Sequence, residues 1–213
     1  MIGDIIVIDD IIPKKYQDCI QNNFFGSDFS WFFEPDITFV NKQIDNYGFH
    51  HTFQRKNGNV NSEYLKFVMP LMFTGVDKLK VNHTEIIQAR AFLQTPREDK
   101  KLHNKPHVDI HYPHLVFLYY VNQTDGDTFI FEEKSKDTFN IKKDHQFKIK
   151  KRVPPKKGRG IFFSGERYHA SSNPTGNPRC VINFDLKYGW VYEPTAIIYT
   201  VIDHIKNNLE QYM

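Results

Sequence analysis

The sequence predicts an α+β, mainly β fold: a jelly roll or small barrel with flanking N-terminal, middle and C-terminal helices. Three observations carry this. Short β-prone runs separated by turn signals fill the chain from Ile86 to Leu186. Segments with apolar residues at a helical period lie before and after that region. Nineteen Phe and eleven Tyr favour a sheet-rich core. At 213 residues the chain can bury one substantial core, so residues 1–213 are expected to form one domain with its motif-bearing core at about 86–186.

Ile5 to Ile8 reads as an opening strand. Pro13 suits a first helical turn, and Tyr16, Cys19, Ile20 and Phe24 follow at helical spacing, which predicts the N-terminal helix. Phe32 to Gln54 mixes aromatic and polar residues and reads as loop or edge strand; Arg55-Lys56-Asn57-Gly58-Asn59 reads as an exposed loop. From Ser62 to Leu79, the apolar Leu65, Phe67, Val68, Leu71, Met72 and Val76 fit a helix that Pro70 kinks or breaks. The period then changes to strand: Ile86–Leu93, Leu115–Val121, Thr128–Phe131, Phe147–Val153, Ile161–Ser164 and Cys180–Leu186. Ile197, Ile198, Val201, Ile202, Ile205 and Leu209 fall on one face of a C-terminal helix.

Composition excludes several classes. The apolar fraction of 40% and charged fraction of 25% are ordinary for a globular protein, which argues against disorder. No apolar run approaches the roughly 20 residues of a membrane helix, and Asp4, Asp9 and Asp10 do not suit a signal or transit peptide. Cys19 and Cys180 are too few for a disulfide framework, so a reducing cytoplasm is the expected compartment. The net charge is only +3, but Lys134 to Arg159 holds eleven Lys or Arg against Asp137 and Asp144. A solvated hairpin face is the plain reading of that segment, and a nucleic-acid or acidic-substrate patch the alternative.

The chemistry-bearing residues lie in three places. In His107-Val108-Asp109 the side chains two apart project to the same side of an extended chain, so imidazole and carboxylate can meet one ion. Alone this pair is weak, because a chance His-x-Asp is expected roughly once in such a chain. Gly158 to His169 then forms a glycine-punctuated turn entering a buried strand, with His169 at its end or just past it. Ser171 to Pro178 is a turn cluster that lets Arg179 begin a returning strand beside His169. Two His and one carboxylate on one face of an octahedral ion leave positions open, the arrangement of non-haem iron oxygenases. A guanidinium opposite can anchor the far carboxylate of a chelating dicarboxylate.

On these residues the sequence resembles the 2-oxoglutarate- and iron(II)-dependent oxygenases, in particular the prolyl 4-hydroxylase-like branch. The resemblance covers Ile86 to Leu186. It rests on Pro106-His107-Val108-Asp109, Leu118-Tyr119-Tyr120-Val121-Asn122, Asp125-Gly126-Asp127-Thr128-Phe129, Lys157 to His169, and Arg179. It implies a double-stranded β-helix core and iron held by His107, Asp109 and His169. It also implies a 2-oxoglutarate anchor at Arg179, hydrogen-bonded support from Tyr120, ascorbate as a reductant, and hydroxylation of a C–H bond with release of succinate and CO2. Tyr119 should point away from Tyr120, because strand side chains alternate. Some relatives carry Ser two residues after the arginine, where Val181 stands here. No equivalent of an upstream tyrosine is evident, and Gln94 and Arg90 are candidates for its place. Aspartate at the second ligand position argues against the halogenating relatives.

The branch suggests a prolyl residue or proline-like substrate, small molecule or peptide. A nucleic-acid base is the alternative that the basic segment raises, with only Phe139 and Phe147 available there to stack. His103, His111 and His114 offer a competing cupin-type metal cluster, and a non-enzymatic jelly-roll module is a further alternative. Asn183 and Asp185 are expected either to face the cavity or to be satisfied polar residues at a barrel mouth. His50-His51 reads as surface loop, Phe24-Phe25 as core packing, and His51 to Asn61 as a surface excursion or a lid.

Overall fold

The computed structural model describes residues 5–38, 46–80, 83–98, 101–135 and 145–188. In chain order the elements are β1 (Ile6–Ile8), α1 (Lys14–Phe24), β2 (Phe32–Glu34), β3 (Gly48–Gln54), α2 (Tyr64–Leu79) and β4 (His83–Gln94). They continue with β5 (Leu115–Tyr120), β6 (Thr128–Lys134), β7 (Ile149–Val153), β8 (Gly160–Ser164), β9 (Arg167–Ser171) and β10 (Arg179–Tyr188). All named strand pairs are antiparallel. They form a seven-stranded sheet in the order β1-β8-β5-β10-β4-β3-β2 and a three-stranded sheet in the order β7-β6-β9. This is the mainly β jelly-roll architecture expected from the sequence.

The helices cover one face of the large sheet because their apolar stripes match it. Ile20 and Phe24 of α1 join Leu65, Val68, Leu71, Met72 and Val76 of α2 in a core that includes the stacked Phe117, Phe162 and Phe184 of three adjacent strands. Gly75 permits the close approach of α2: a Cβ there would lie 2.7 Å from the Phe117 ring. Pro70 does not break α2, which runs through it on the strength of that buried stripe. The other face of the large sheet packs on the small sheet, where Ile130 and Val153 meet Val116, Tyr120, Ile161, Phe163 and Val181.

Several expectations need correction. Within Phe32 to Gln54, β2 is the edge strand that the sequence allows, but β3 is an interior strand, and its His51 is buried and held by Ser30 and Ser62 rather than in a surface loop. Phe24 is in the core, but Phe25 is 44% exposed. His169 lies in the middle of its own strand, β9, in the small sheet. Arg179 begins β10 in the large sheet, so the 172–178 turn carries the chain between sheets rather than back beside β9. The C-terminal helix expected at 197–209 lies outside the described residues. No helix among the described residues is long and apolar enough to cross a membrane.

Candidate active site

His107 and His169 are joined by backbone before their side chains meet. Each donates its N–H to the other's carbonyl, at 3.0 and 2.9 Å, as a hydrogen-bonded antiparallel pair does. Their rings stand on the same side with centroids 4.6 Å apart. The Nδ1 atoms lie 3.1 Å from the Lys105 carbonyl and 3.3 Å from the Arg167 carbonyl. Donation from Nδ1–H to those carbonyls turns an Nε2 lone pair toward Asp109, the orientation a metal-ligating imidazole needs.

Asp109 completes the group. One ligand atom from each of His107, Asp109 and His169 lies within 4.8 Å of the other two, and among the described residues no other trio of His, Cys, Asp or Glu gathers this closely. The competing cluster does not form: His103 packs on Phe129 and Phe131, His111 is exposed, and His114 is buried against Asp185. Burial would raise the Asp109 carboxyl. The contact with His169 and the charge of Arg90 outweigh it and hold the group well below the usual carboxylate range. Burial, and then the neighbouring His169, push His107 down to about 4, so its ring is neutral near pH 7.

Across a cavity of about 60 Å³ stands Arg179. That volume suits a small ligand, several times the roughly 10–15 Å³ that one water needs on this measure. The Arg179 side chain is buried and donates to Gly126 O at 2.7 Å, Thr128 Oγ1 at 2.8 Å and Gln94 Oε1 at 2.9 Å. These are all neutral oxygens. Gln94 is itself fixed through Nε2, 3.1 Å from Ser171 Oγ and 3.2 Å from Asn173 Oδ1. It therefore holds the guanidinium from a fixed position. Val116, Leu118, Phe163 and Val181 supply apolar lining to the same cavity.

Tyr120 is buried beside Arg179, its ring centroid 5.7 Å from the guanidinium carbon. Its hydroxyl lies 2.7 Å from Thr128 Oγ1 and 3.3 Å from the Val153 carbonyl, and it does not line the cavity. Thr128, which does, occupies the position between Tyr120 and the cavity, and sequence reasoning missed it. Tyr119 is in the opposite, helix-side core, as strand alternation requires. Asn183 lines the cavity, with Nδ2 3.2 Å from Asp109 Oδ2, whereas Asp185 is fully buried behind it. The exposed turn at 55–58 touches the rim through Lys56 Nζ, 2.8 Å from the Asp109 carbonyl oxygen.

No family model and no curated protein matches this chain in sequence. Solved structures do match in three dimensions. The non-haem α-ketoglutarate-dependent epimerase SnoN from nogalamycin biosynthesis superimposes with a TM-score of 0.61 at 9% identity, over 86% of this chain and 78% of that one. A prolyl hydroxylase from Trichoplax adhaerens, in complex with a hypoxia inducible factor peptide fragment, gives 0.55 at 11% identity, over 87% and 84%. A Pseudomonas putida prolyl 4-hydroxylase gives 0.51 at 12% identity, over 86% and 92%. At such identities the likeness is one of fold: this chain shares the mainly β jelly-roll architecture of these three structures.

Proposed function

We propose that this protein is an iron(II)- and 2-oxoglutarate-dependent oxygenase that hydroxylates a C–H bond, with His107, Asp109 and His169 as metal ligands and Arg179 as the co-substrate anchor. One observation carries the reading: a two-His, one-carboxylate cluster and a buried guanidinium with neutral hydrogen-bond partners share one small cavity. The donor set suits a ferrous ion, since two imidazoles and one carboxylate on one side leave positions open on the other. A buried cation bonded only to neutral oxygens suits an incoming carboxylate, because burying a charge without a counter-charge is costly.

Bound together, iron and 2-oxoglutarate supply the oxidising chemistry: one oxygen molecule is consumed as 2-oxoglutarate becomes succinate and CO2 and the substrate C–H becomes C–OH. The chain's own residues do the positioning. Arg179 pairs with the distal carboxylate of 2-oxoglutarate, Gln94 holds the guanidinium's angle, and Thr128 places a hydroxyl beside it. Val116, Leu118, Phe163 and Val181 exclude water from the middle of the co-substrate. Ascorbate belongs to this reading as a reductant that keeps the iron ferrous.

The substrate we propose is a prolyl residue or a proline-like compound. Prolyl hydroxylases among the similar folds, one holding a peptide, support this over a nucleic acid. The basic segment argues the same way. Among its described residues Lys156 and Arg159 pair with Asp9, Lys157 with Asp18, Arg152 with Asp127 and Lys148 with Glu132, so these cations already have partners. The test is succinate formation from 2-oxoglutarate in the presence of Fe(II), ascorbate and oxygen, with and without a panel of proline-containing peptides and nucleosides. Peptide-stimulated succinate release is the expected result. An absence of Fe(II) binding and of turnover would leave a non-enzymatic jelly roll.

A further inference from the structure

Asp109 has two oxygens, and the protein treats them differently. Oδ2 faces the ligand histidines, 3.4 Å from His169 Nε2, and accepts a neutral, longer hydrogen bond from Asn183 Nδ2 at 3.2 Å. Oδ1 accepts a hydrogen bond from Arg90 Nη2 at 2.9 Å, and that ion pair is almost wholly buried, with side-chain exposures of 6% and 10%. A carboxylate can bind a divalent ion through one oxygen or through both. Binding through both would take one of the three positions that two imidazoles and one carboxylate oxygen leave open on an octahedral ion.

We propose that Arg90 is a positioning residue for the metal centre: by holding Oδ1 it leaves Oδ2 as the single ligand oxygen of Asp109. This rests on the metal-ligand assignment above. Arg90 is well fixed for the task. It lies on β4 in register with Asn183 of β10, and its guanidinium carbon sits 4.9 Å from the Phe92 ring. Behind it, Asp185 Oδ2 is 4.0 Å from Arg90 Nη2, and Asp185 Oδ1 is 3.5 Å from His114 Nε2. The chain His114, Asp185, Arg90, Asp109 thus runs through the interior and ends at the ligand group. Arg90 Nη2 bonds Asp109 directly, while Asp185, 4.0 Å from the same nitrogen, stands behind it as a second negative charge. Arg90 is almost wholly buried and is not among the residues that line the cavity. Stability does not explain it, because a buried ion pair adds little net stability over packed apolar residues.

The test counts exchangeable waters on bound Mn(II) by water-proton relaxation. The wild type is expected to give three, and Arg90→Lys, which keeps charge but loses the guanidinium, two, so relaxivity per bound ion falls by about a third. The double variant Arg90→Gln/Asp185→Asn, which removes opposite charges together, is expected to do the same with Mn(II) still bound. An unchanged water count in these variants, once circular dichroism shows them folded, overturns the proposal. Should neither fold, a crystal of the Mn(II)-loaded wild type decides: Oδ2 on the metal with Oδ1 on Arg90 supports it, and both oxygens on the metal overturn it. Failure of the wild type to bind Mn(II) is a separate result that removes the metal-site reading itself.

Discussion

Along β10, Cys180, Ile182, Phe184 and Leu186 enter the helix-side core, while Arg179, Val181, Asn183 and Asp185 alternate with them toward the small sheet. β4 does the same, with Ala89 and Ala91 on one side and Arg90, Phe92 and Gln94 on the other. Both faces are buried, so solvent does not explain the polar set. The helix-side face is a packed apolar layer whose contribution is stability. The other face buries two arginines and an aspartate, Arg90, Arg179 and Asp185, at a desolvation cost that apolar residues would avoid. One sheet therefore separates folding from chemistry by the two-residue period of its strands.

The sharpest way to break this comparison is at the ligand group itself. Asp109→Ala is expected to lower metal-dependent succinate formation by more than about a hundredfold, exceeding the loss usual for residues that only support a ligand. It should also abolish the rise in melting temperature that Mn(II) gives the wild type, since an ion that no longer binds the native state no longer stabilises it. Turnover near the wild-type rate would mean that the polar face has another purpose.

A crossed pair of substitutions comes next. Phe184→Ala, on the helix side, should cost about 3–5 kcal/mol in urea unfolding, because it opens a cavity beside the Phe117 ring in the helix-side core. Arg179→Met should cost less, below about 2 kcal/mol, since it loses hydrogen bonds but also a buried charge. Its effect should appear instead as a rise of about a hundredfold in the 2-oxoglutarate requirement with Mn(II) affinity spared. If Arg179→Met proves the more destabilising of the two, the division of labour between the faces fails.

The same alternation explains what the sequence revealed. Gln88-Ala89-Arg90-Ala91-Phe92-Leu93-Gln94 reads as a strand with one wet face, and nothing local says that a second sheet covers that face. Arg90 was therefore visible only as a candidate for a missing tyrosine, and its contact with Asp109 was not visible at all. His107, Asp109 and His169 were legible because their spacing has a chemical meaning apart from their surroundings. What joins them, the reciprocal backbone pair between 107 and 169, depends on strand register across 62 positions that local patterns do not encode. The combination Gln94 with Arg179, Arg90 with Asn183 and Gln88 with Asp185, polar opposite polar in register, is the signal that could have exposed the buried face once β4 and β10 were paired.

Smaller effects sharpen the assignment within the polar face. Thr128→Val removes the hydroxyl that lies beside Arg179 and the cavity, and should raise the 2-oxoglutarate requirement about two- to twelvefold, the worth of one hydrogen bond of about 0.5–1.5 kcal/mol. Tyr120→Phe should change it less, because that hydroxyl bonds Thr128 and the Val153 carbonyl and does not line the cavity. Titrating 2-oxoglutarate against succinate release ranks the two, and the reverse order would return Tyr120 to the site.

The smallest expected effect concerns charges that lie on neither face. Asp9, beyond β1 at the sheet's edge, pairs with Arg159 and Lys156. Arg159 first, then Lys156, hold its carboxyl down at about 2. A carboxyl lowered on folding contributes stability that is complete above its unfolded value near 3.9 and is lost as pH falls from about 4 to about 2. With the Asp9 side chain 39% exposed, solvent screens the pair, so Asp9→Asn should cost under about 1 kcal/mol at pH 7 and less still in high salt. Urea unfolding at pH 7, 4 and 2 should show the variant and wild type converging as acid protonates Asp9. A cost that exceeds 2 kcal/mol or ignores salt would place Asp9 with the buried charges around Asp109, and the edge of the sheet would then belong to the same category as its inner face.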